Sequence, residues 1–352
     1  MKNFSFLILF LFLTCGLFAQ TKPVGQPSPA IKWLTLGEAQ KLCKDNPKTI
    51  LVDVYTDWCV WCKKMLAGTF SDPFIVNYIN ANFYPVRFNA ESHDSIRYQD
   101  TLYKSTQIGA RAPHQLAIKL LNGRLSYPTI VYIDKEGRRS PVAGYYDSQH
   151  IMPILVYFAE DINRSTAYPD FEKNFRATFP LDSAGYKKPK NLVKWYSLEE
   201  AIKMNQLHPR KIMINWYANW SISSMLMYAS TFNDPAIANF INKNYYPVRI
   251  DATTKDTLNV FGQKFVNENK QHPFHQLAVA MLEGKMTFPA TLFLDENNKL
   301  IDRMQVYLTP ENLKPILNYY GGNIYKTTKW ADYLKTYRSQ VSQTEAPKED
   351  LN

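Results

Sequence analysis

The sequence predicts an α/β protein built from two tandem copies of one domain, each with a mixed central sheet flanked by helices. Two observations predict this. The first is an internal repeat. Ile31-Lys-Trp33 returns as Val193-Lys-Trp195, Thr69-Phe-Ser-Asp-Pro73 as Thr231-Phe-Asn-Asp-Pro235, and Tyr84-Pro-Val-Arg87 as Tyr246-Pro-Val-Arg249, each 162 residues on. His114-Gln-Leu-Ala117 returns as His275-Gln-Leu-Ala278, 161 residues on, and Pro153-Ile-Leu155 as Pro315-Ile-Leu317, again at 162. Ordered matches of this length mean duplication of a unit of about 145 residues, with compensating single-residue changes in loops. The second observation is that runs at helical spacing alternate with short β-rich runs inside each copy.

The elements of the first copy follow in order. Thr35-Leu-Gly-Glu38 has the form of a capping box, and Leu36, Ala39, Leu42 and Cys43 recur at helical spacing after it. Ile50 to Tyr55 is a short apolar, β-branched run suited to a buried strand. Cys59 to Leu66 reads as a helix. Ser71-Asp-Pro73 is a cap with proline at the helix start, and Phe74, Ile75, Tyr78 and Ile79 give the following helix an apolar face. Phe83 to Phe88 is a strand. A longer polar and helical stretch then ends in Leu116–Leu121. Thr129 to Ile133 is a strand, Lys135-Glu-Gly137 a turn, Val142 to Tyr145 the start of another strand, and Ile151 to Phe158 the start of a terminal helix. The pattern is α–β–α–β–α–β–β–α.

Composition sets outer limits. The chain has 352 residues, is 45% hydrophobic and 20% charged, and contains 13 Gly and 4 Cys, so it is neither disordered, collagenous nor a disulfide-stapled miniprotein. The formal charge is +10, but the basic residues are scattered. The densest run, Lys187-Lys-Pro-Lys190, falls in the predicted connector, so nucleic acid is not an expected partner.

Met1-Lys-Asn3, the apolar run from Phe4 and the small residue Ala19 before Gln20 read as a secretory signal peptide over residues 1–19, cleaved near Ala19. Export to the periplasm or envelope follows. Phe12-Leu-Thr-Cys15 offers a lipoprotein reading through Cys15, disfavoured by the size of Thr14; an uncleaved anchor is the other alternative. No later segment has the roughly 18 apolar residues a span needs, so no integral membrane span is expected in the mature chain. The predicted organisation is a first domain over 31–179, a linker over 180–192 rich in Pro and Lys, a second domain over 193–338, and a disordered polar tail over 339–352.

The chemistry gathers at Trp58-Cys-Val-Trp-Cys62, which follows the buried strand and opens a helix. On the residues alone, Cys59 and Cys62 can be a redox pair, a structural bridge or half a metal site. A zinc site needs about four ligands, and no second pair completes one, so no metal is expected. A cysteine at a helix N-terminus is favoured as thiolate, the form that attacks a disulfide. Cys43, whose repeat counterpart is Asn205, reads as a buried free thiol. His114 and His275 read as helix caps or fold supports.

The segment Leu51 to Lys63, with its Trp-Cys-Val-Trp-Cys-Lys motif and the downstream Phe70-Ser-Asp-Pro73, resembles the thioredoxin superfamily. It is similar in particular to thioredoxin-like families that carry W-C-V-x-C-K, such as the C-terminal domains of membrane thiol-reductant conductors. The resemblance covers about 130 residues of each half and implies two tandem thioredoxin-like domains and thiol–disulfide exchange. By this resemblance Cys59 is the nucleophile and Cys62 the resolving thiol. Asp53 is the buried acid beneath Cys62, with a raised pKa, able to accept its proton. Pro128 matches the cis-proline that faces the dithiol and offers backbone to a substrate. Trp58 shields the motif, and Trp61 replaces the smaller residue often found there. Asp53 can equally be a hydrogen-bonding acid with no catalytic part, and Pro128 an ordinary trans residue at a strand start.

The repeat register puts Ser221 and Ser224 on the cysteine positions and Asn215 on that of Asp53, so the second copy has lost both thiols and their proton acceptor; Pro289 still matches Pro128. The expected protein is an exported thiol–disulfide oxidoreductase, a reductase by its resemblance to reductant-relaying domains. It needs no cofactor beyond the Cys59–Cys62 disulfide, acts on protein disulfides or thiols, and draws on an upstream thiol donor. The alternative is a non-enzymatic, chaperone-like client-binding module with a static Cys59–Cys62 bridge.

Overall fold

The computed structural model describes residues 30–106, 109, 111–180, 189–260 and 262–345. The leader and its Cys15 alternative therefore lie outside the described residues, as do 181–188 of the predicted linker and 346–352 of the predicted tail.

Local signals start the helices where the sequence places them. In the first domain α1 (Leu36–Asp45) is capped by Thr35, whose hydroxyl accepts from Glu38 N at 3.2 Å while the Glu38 carboxylate accepts from Thr35 N at 2.8 Å. β1 (Thr49–Tyr55) is buried along almost its whole length. α2 (Val60–Ala67) and α3 (Pro73–Asn82) then carry the chain across the sheet to β2 (Phe83–Asn89), which therefore runs parallel to β1. Within the Ser71-Asp-Pro73 motif the α3 cap is Asp72: its carboxylate accepts from Phe74 N at 2.9 Å and Ile75 N at 3.3 Å, and Pro73 fills the first helical position.

β5 (Thr129–Ile133) lies antiparallel on the other side of β1, and β6 (Arg139–Ala143) forms the edge, giving the order β2-β1-β5-β6. Alternation along β1 splits the core. Ile50, Val52 and Val54 pack with Leu36 of α1 and Leu116 and Leu120 of α4 (Gln115–Leu120). Leu51 faces Ile75 and Ile79 of α3 and Ile151 and Leu155 of α5 (Ser148–Ala159). This is the expected mixed sheet between two helical layers.

The second domain repeats the plan. α7 (Leu198–Leu207) has the same capping box, made by Ser197 and Glu200. β7 (Lys211–Tyr217) pairs in parallel with β8 (Tyr245–Asp251) across α8 (Ile222–Ala229) and α9 (Pro235–Asn244), and in antiparallel with β11 (Ala290–Leu294), which carries β12 (Leu300–Met304). α10 (Gln276–Met281) and α11 (Pro310–Gly321) cover its faces.

The α5 side of the first domain and the corresponding side of the second belong to one continuous apolar cluster, from Leu51, Ile151 and Phe171 to Met213, Leu226 and Tyr307. α6 (Tyr168–Thr178) packs on α8, and Phe171 meets Tyr307 edge-on at 6.0 Å. The Ser165 hydroxyl donates to the Tyr307 carbonyl at 2.9 Å, and Asn312 Nδ2 donates to the Ser165 carbonyl at 3.2 Å.

Some sequence expectations change. The stretch before Leu116 contains hairpin β3 (Ile96–Tyr98) and β4 (Thr101–Tyr103), repeated as β9 (Leu258–Val260) and β10 (Gln263–Phe265). Strands of three residues carry no readable period. The first hairpin turns through Gln99 and Asp100 with φ of 47° and 63°, a conformation usually signalled by glycine or asparagine. Each terminal helix is followed by another: α6 in the first domain and α12 (Trp330–Glu345) in the second. The tail predicted from 339 therefore starts inside a helix. An aromatic ladder anchors that helix, with Tyr333 at 5.1 Å from Tyr319 and Tyr337 at 5.8 Å from Tyr333. Lys190, in the predicted linker, is held by Asn233 Oδ1 at 2.9 Å. Cys43 is half-buried rather than buried, and its Sγ donates to the Lys48 carbonyl at 3.1 Å. No helix among the described residues is long and apolar enough to cross a membrane.

Candidate redox site

Cys59 and Cys62 are joined in a disulfide with their Cα atoms 5.3 Å apart. β1 ends at Tyr55, and Cys59 N donates to the Thr56 carbonyl at 3.2 Å, turning the chain into α2. Cys59 is the cap of that helix: its Sγ accepts from Cys62 N at 3.0 Å. The Cys62 N–H thus points at the Cys59 sulfur, and the positive end of the helix favours negative charge there. Both sulfur residues are buried, whereas Trp58, Val60 and Trp61 around them are 47%, 74% and 54% exposed.

Trp58 is fixed by Nε1 donating to Glu91 Oε1 at 2.9 Å, by the edge of Tyr127 at 6.1 Å, and by the Arg111 guanidinium 4.9 Å from its ring. Tyr127 precedes Pro128, and the peptide between them is cis. Trp61 packs on Tyr145 at 5.2 Å, with the Lys64 ammonium 4.8 Å from its ring. Two pinned indoles thus flank the pair and leave an apolar, partly cationic surface.

Asp53 is 2% exposed on β1, opposite Arg87 of β2, whose Nε lies 3.4 Å from its Oδ2. Burial outweighs the Arg87 charge and hydrogen bond, and pushes the Asp53 carboxyl up to about 6. His114 is a structural cap: Nδ1 accepts from Leu116 N at 3.0 Å, and Nε2 lies 2.8 Å from the Asp94 carbonyl, to which it donates in the tautomer that this cap requires. His275 makes the same pair of contacts with Leu277 N and the Asp256 carbonyl, and its burial lowers its pKa.

The second copy keeps this frame without the chemistry. Ser221 caps α8, accepting from Ser224 N at 3.1 Å as Cys59 does from Cys62. Asn215 is buried and donates to Thr291 Oγ1 at 3.2 Å. With no carboxylate opposite it, Arg249 leaves its buried Nε without a hydrogen-bond partner; its guanidinium centre lies 3.7 Å from the Tyr217 ring and 4.2 Å from the Tyr228 ring. Phe288–Pro289 is also cis. Among the described residues no cluster of three or more His, Cys, Asp or Glu is placed to hold a metal.

Sequence reasoning missed several contributors. Arg87 was visible only as a repeated residue, and Glu91, Arg111, Tyr127 and Tyr145 carried no signal. Glu160 carried a faint one: it is an acid at the C-terminal end of apolar α5, where the helix dipole disfavours it.

A family model described as a thioredoxin-like domain matches this chain twice, over residues 36–159 and 198–321. The thiol:disulfide interchange protein DsbD of Pectobacterium atrosepticum is 27% identical over 117 residues, or 32% of this chain. The protein of the same name from Escherichia coli strain K12 is 26% identical over 113 residues, or 31% of this chain. The match spans 17% of the length of each of these relatives. Among solved structures, a putative disulphide-isomerase from Bacteroides thetaiotaomicron shares 20% identity, with 38% of this chain and 98% of that one covered and a TM-score of 0.29. The oxidised C-terminal domain of Neisseria meningitidis DsbD shares 20%, covering 32% and 83%, with a TM-score of 0.24.

Proposed function

The chain belongs to the thioredoxin-like domain family, matched in both halves, and from that premise we propose that it is an exported thiol–disulfide oxidoreductase working as a reductase of protein disulfides. The observation that carries this reading is the Cys59–Cys62 disulfide at the N-terminus of α2, between two exposed tryptophans. The pair is itself the redox group, and no cofactor is required.

In the reduced enzyme the Cys59 thiolate attacks one sulfur of a client disulfide. A Cys59–client disulfide forms, and the other client sulfur leaves as a thiolate that takes up a proton. Cys62, losing its proton to the Asp53 carboxylate, attacks Cys59 Sγ and displaces the second client thiolate, which is protonated in turn as Asp53 gives up that proton. The client gains two electrons and two protons, and the enzyme is left as the Cys59–Cys62 disulfide. An upstream dithiol donor must return both electrons by the same exchange in reverse. Export rests on the apolar leader before Gln20, and the reductase direction on the likeness to reductant-relaying domains. The direct test is insulin reduction by dithiothreitol: the protein accelerates it, and an unchanged rate would remove the reading.

Asp53→Asn is expected to slow resolution at neutral pH and to stabilise the fold. Because burial raises its pKa to about 6 in the folded protein, the folded state holds this proton more tightly than the unfolded one. That advantage is complete below about pH 4 and lost as pH rises through about 6. At pH 7 the buried charge costs on the order of 2–3 kcal/mol, which asparagine avoids; Asn215 already occupies the equivalent place. Urea unfolding at pH 4 and pH 7 checks the sign: the variant gains stability only at the higher pH.

A further inference from the structure

The helix N-terminus that lost its cysteines is occupied. The first turn of α8 surrounds the carboxylate of Glu160, the residue that ends α5 in the other domain. Oε1 accepts from Ile222 N at 3.0 Å and from the Tyr78 hydroxyl of α3 at 3.2 Å. Oε2 accepts from Ser223 N at 3.0 Å, from the Ser221 hydroxyl at 2.8 Å and from the Ser223 hydroxyl. Five donors meet one carboxylate, and two of them are backbone groups at the positive end of a helix. Burial pushes the Glu160 carboxyl up, and the bonds from Ser223, Ser221 and Ile222 oppose that push.

This seat exists in one direction only. The residue 162 places after Glu160 is Gly322, which has no side chain to offer. The residue of α2 that corresponds to Ser223 is Trp61, whose exposed indole supplies no hydroxyl there. Cysteine at position 221 would also be a far weaker donor than the serine present. The same hydroxyls lie near the Phe288 carbonyl, at 3.4 Å for Ser221 and 3.3 Å for Ser223, just before cis Pro289. Glu160 therefore reaches from within the chain into the groove between the start of α8 and that proline, beside a cavity of about 200 Å³ that Trp220, Ser221 and Phe288 also line.

We propose that the second domain's former dithiol motif has become a carboxylate receptor whose ligand is Glu160 of the same chain. The loss of the thiols and the gain of Ser221 and Ser223 are then one change. It turns an active-site groove into a docking seat, takes up the donors at the start of α8 and fixes the two domains in one arrangement. The second domain is a support for the first rather than a second client site. This holds whether or not Cys59 turns over.

Amide hydrogen exchange on the full chain tests it. In Glu160→Ala, exchange at Ile222 and Ser223 is expected to accelerate on the order of 100-fold, since each loses a bond to a charged acceptor. Formate, the smallest carboxylate, restores protection, and chloride at equal ionic strength does not. Unchanged protection would overturn the proposal, as would recovery in chloride equal to that in formate, or no recovery in either. Glu160→Gln keeps the side chain's size but turns an amino group toward donors. It remains informative if the alanine variant does not fold: about tenfold faster exchange at both amides is expected, and protection equal to wild type would show that shape, not the anion, holds the seat.

Discussion

Replacing Cys59 by serine is expected to return insulin reduction by dithiothreitol to its uncatalysed rate while leaving the fold intact. Chemistry and structure support the two halves of this expectation separately. Serine forms no disulfide, and its hydroxyl is far less acidic than a thiol, so the first covalent step has no nucleophile. The fold argument comes from within the molecule. Ser221 already stands in the corresponding position, accepts from Ser224 N at 3.1 Å and caps α8 as Cys59 caps α2. The variant should therefore cap α2 equally well, and a lost rate with an unchanged circular-dichroism spectrum assigns the effect to the sulfur. A variant that still accelerated the reaction would end the enzymatic reading and leave a static bridge.

Replacing Cys62 by alanine is expected to have an equally large effect of a different kind. Cys59 still attacks, but nothing displaces the captured client, so mixed disulfides accumulate. Cys62 is buried behind Cys59 on the first turn of α2, and its counterpart Ser224 is buried in α8 without a hydrogen-bond partner for its hydroxyl. A small residue is thus tolerated there. Non-reducing gels of the variant from an exported preparation should show client adducts that dithiothreitol releases. Their absence would contradict the two-step assignment of Cys59 and Cys62.

Much of the architecture was legible because it is encoded locally and written twice. The capping boxes at Thr35 and Ser197, the buried runs at Ile50 and Ile212, and the Asp-Pro helix starts each carry their signal within a few residues. The repeat register alone set Ser221, Ser224 and Asn215 against Cys59, Cys62 and Asp53. What escaped depends on partners distant in sequence. Glu160 meets Ser221 and Ser223 across 61 and 63 residues and between domains, and no periodicity announces such a contact. Arg87 is tied to Asp53 by strand register, which a single sequence does not fix. The β3–β4 hairpin escaped because its turn uses Gln99 and Asp100 in a left-handed conformation. Cys43 looked buried from helical spacing, but it lies at the rim of the apolar face, beside the exposed Leu42.

Whether the sulfur pair is a working couple or a fixed brace is read most directly from its equilibrium with glutathione and dithiothreitol buffers. A reductase pair settles at about −200 to −270 mV, within reach of cellular dithiols. A pair that stays oxidised below about −300 mV would behave as a structural bond, and the function proposed for Cys59 would fall with it.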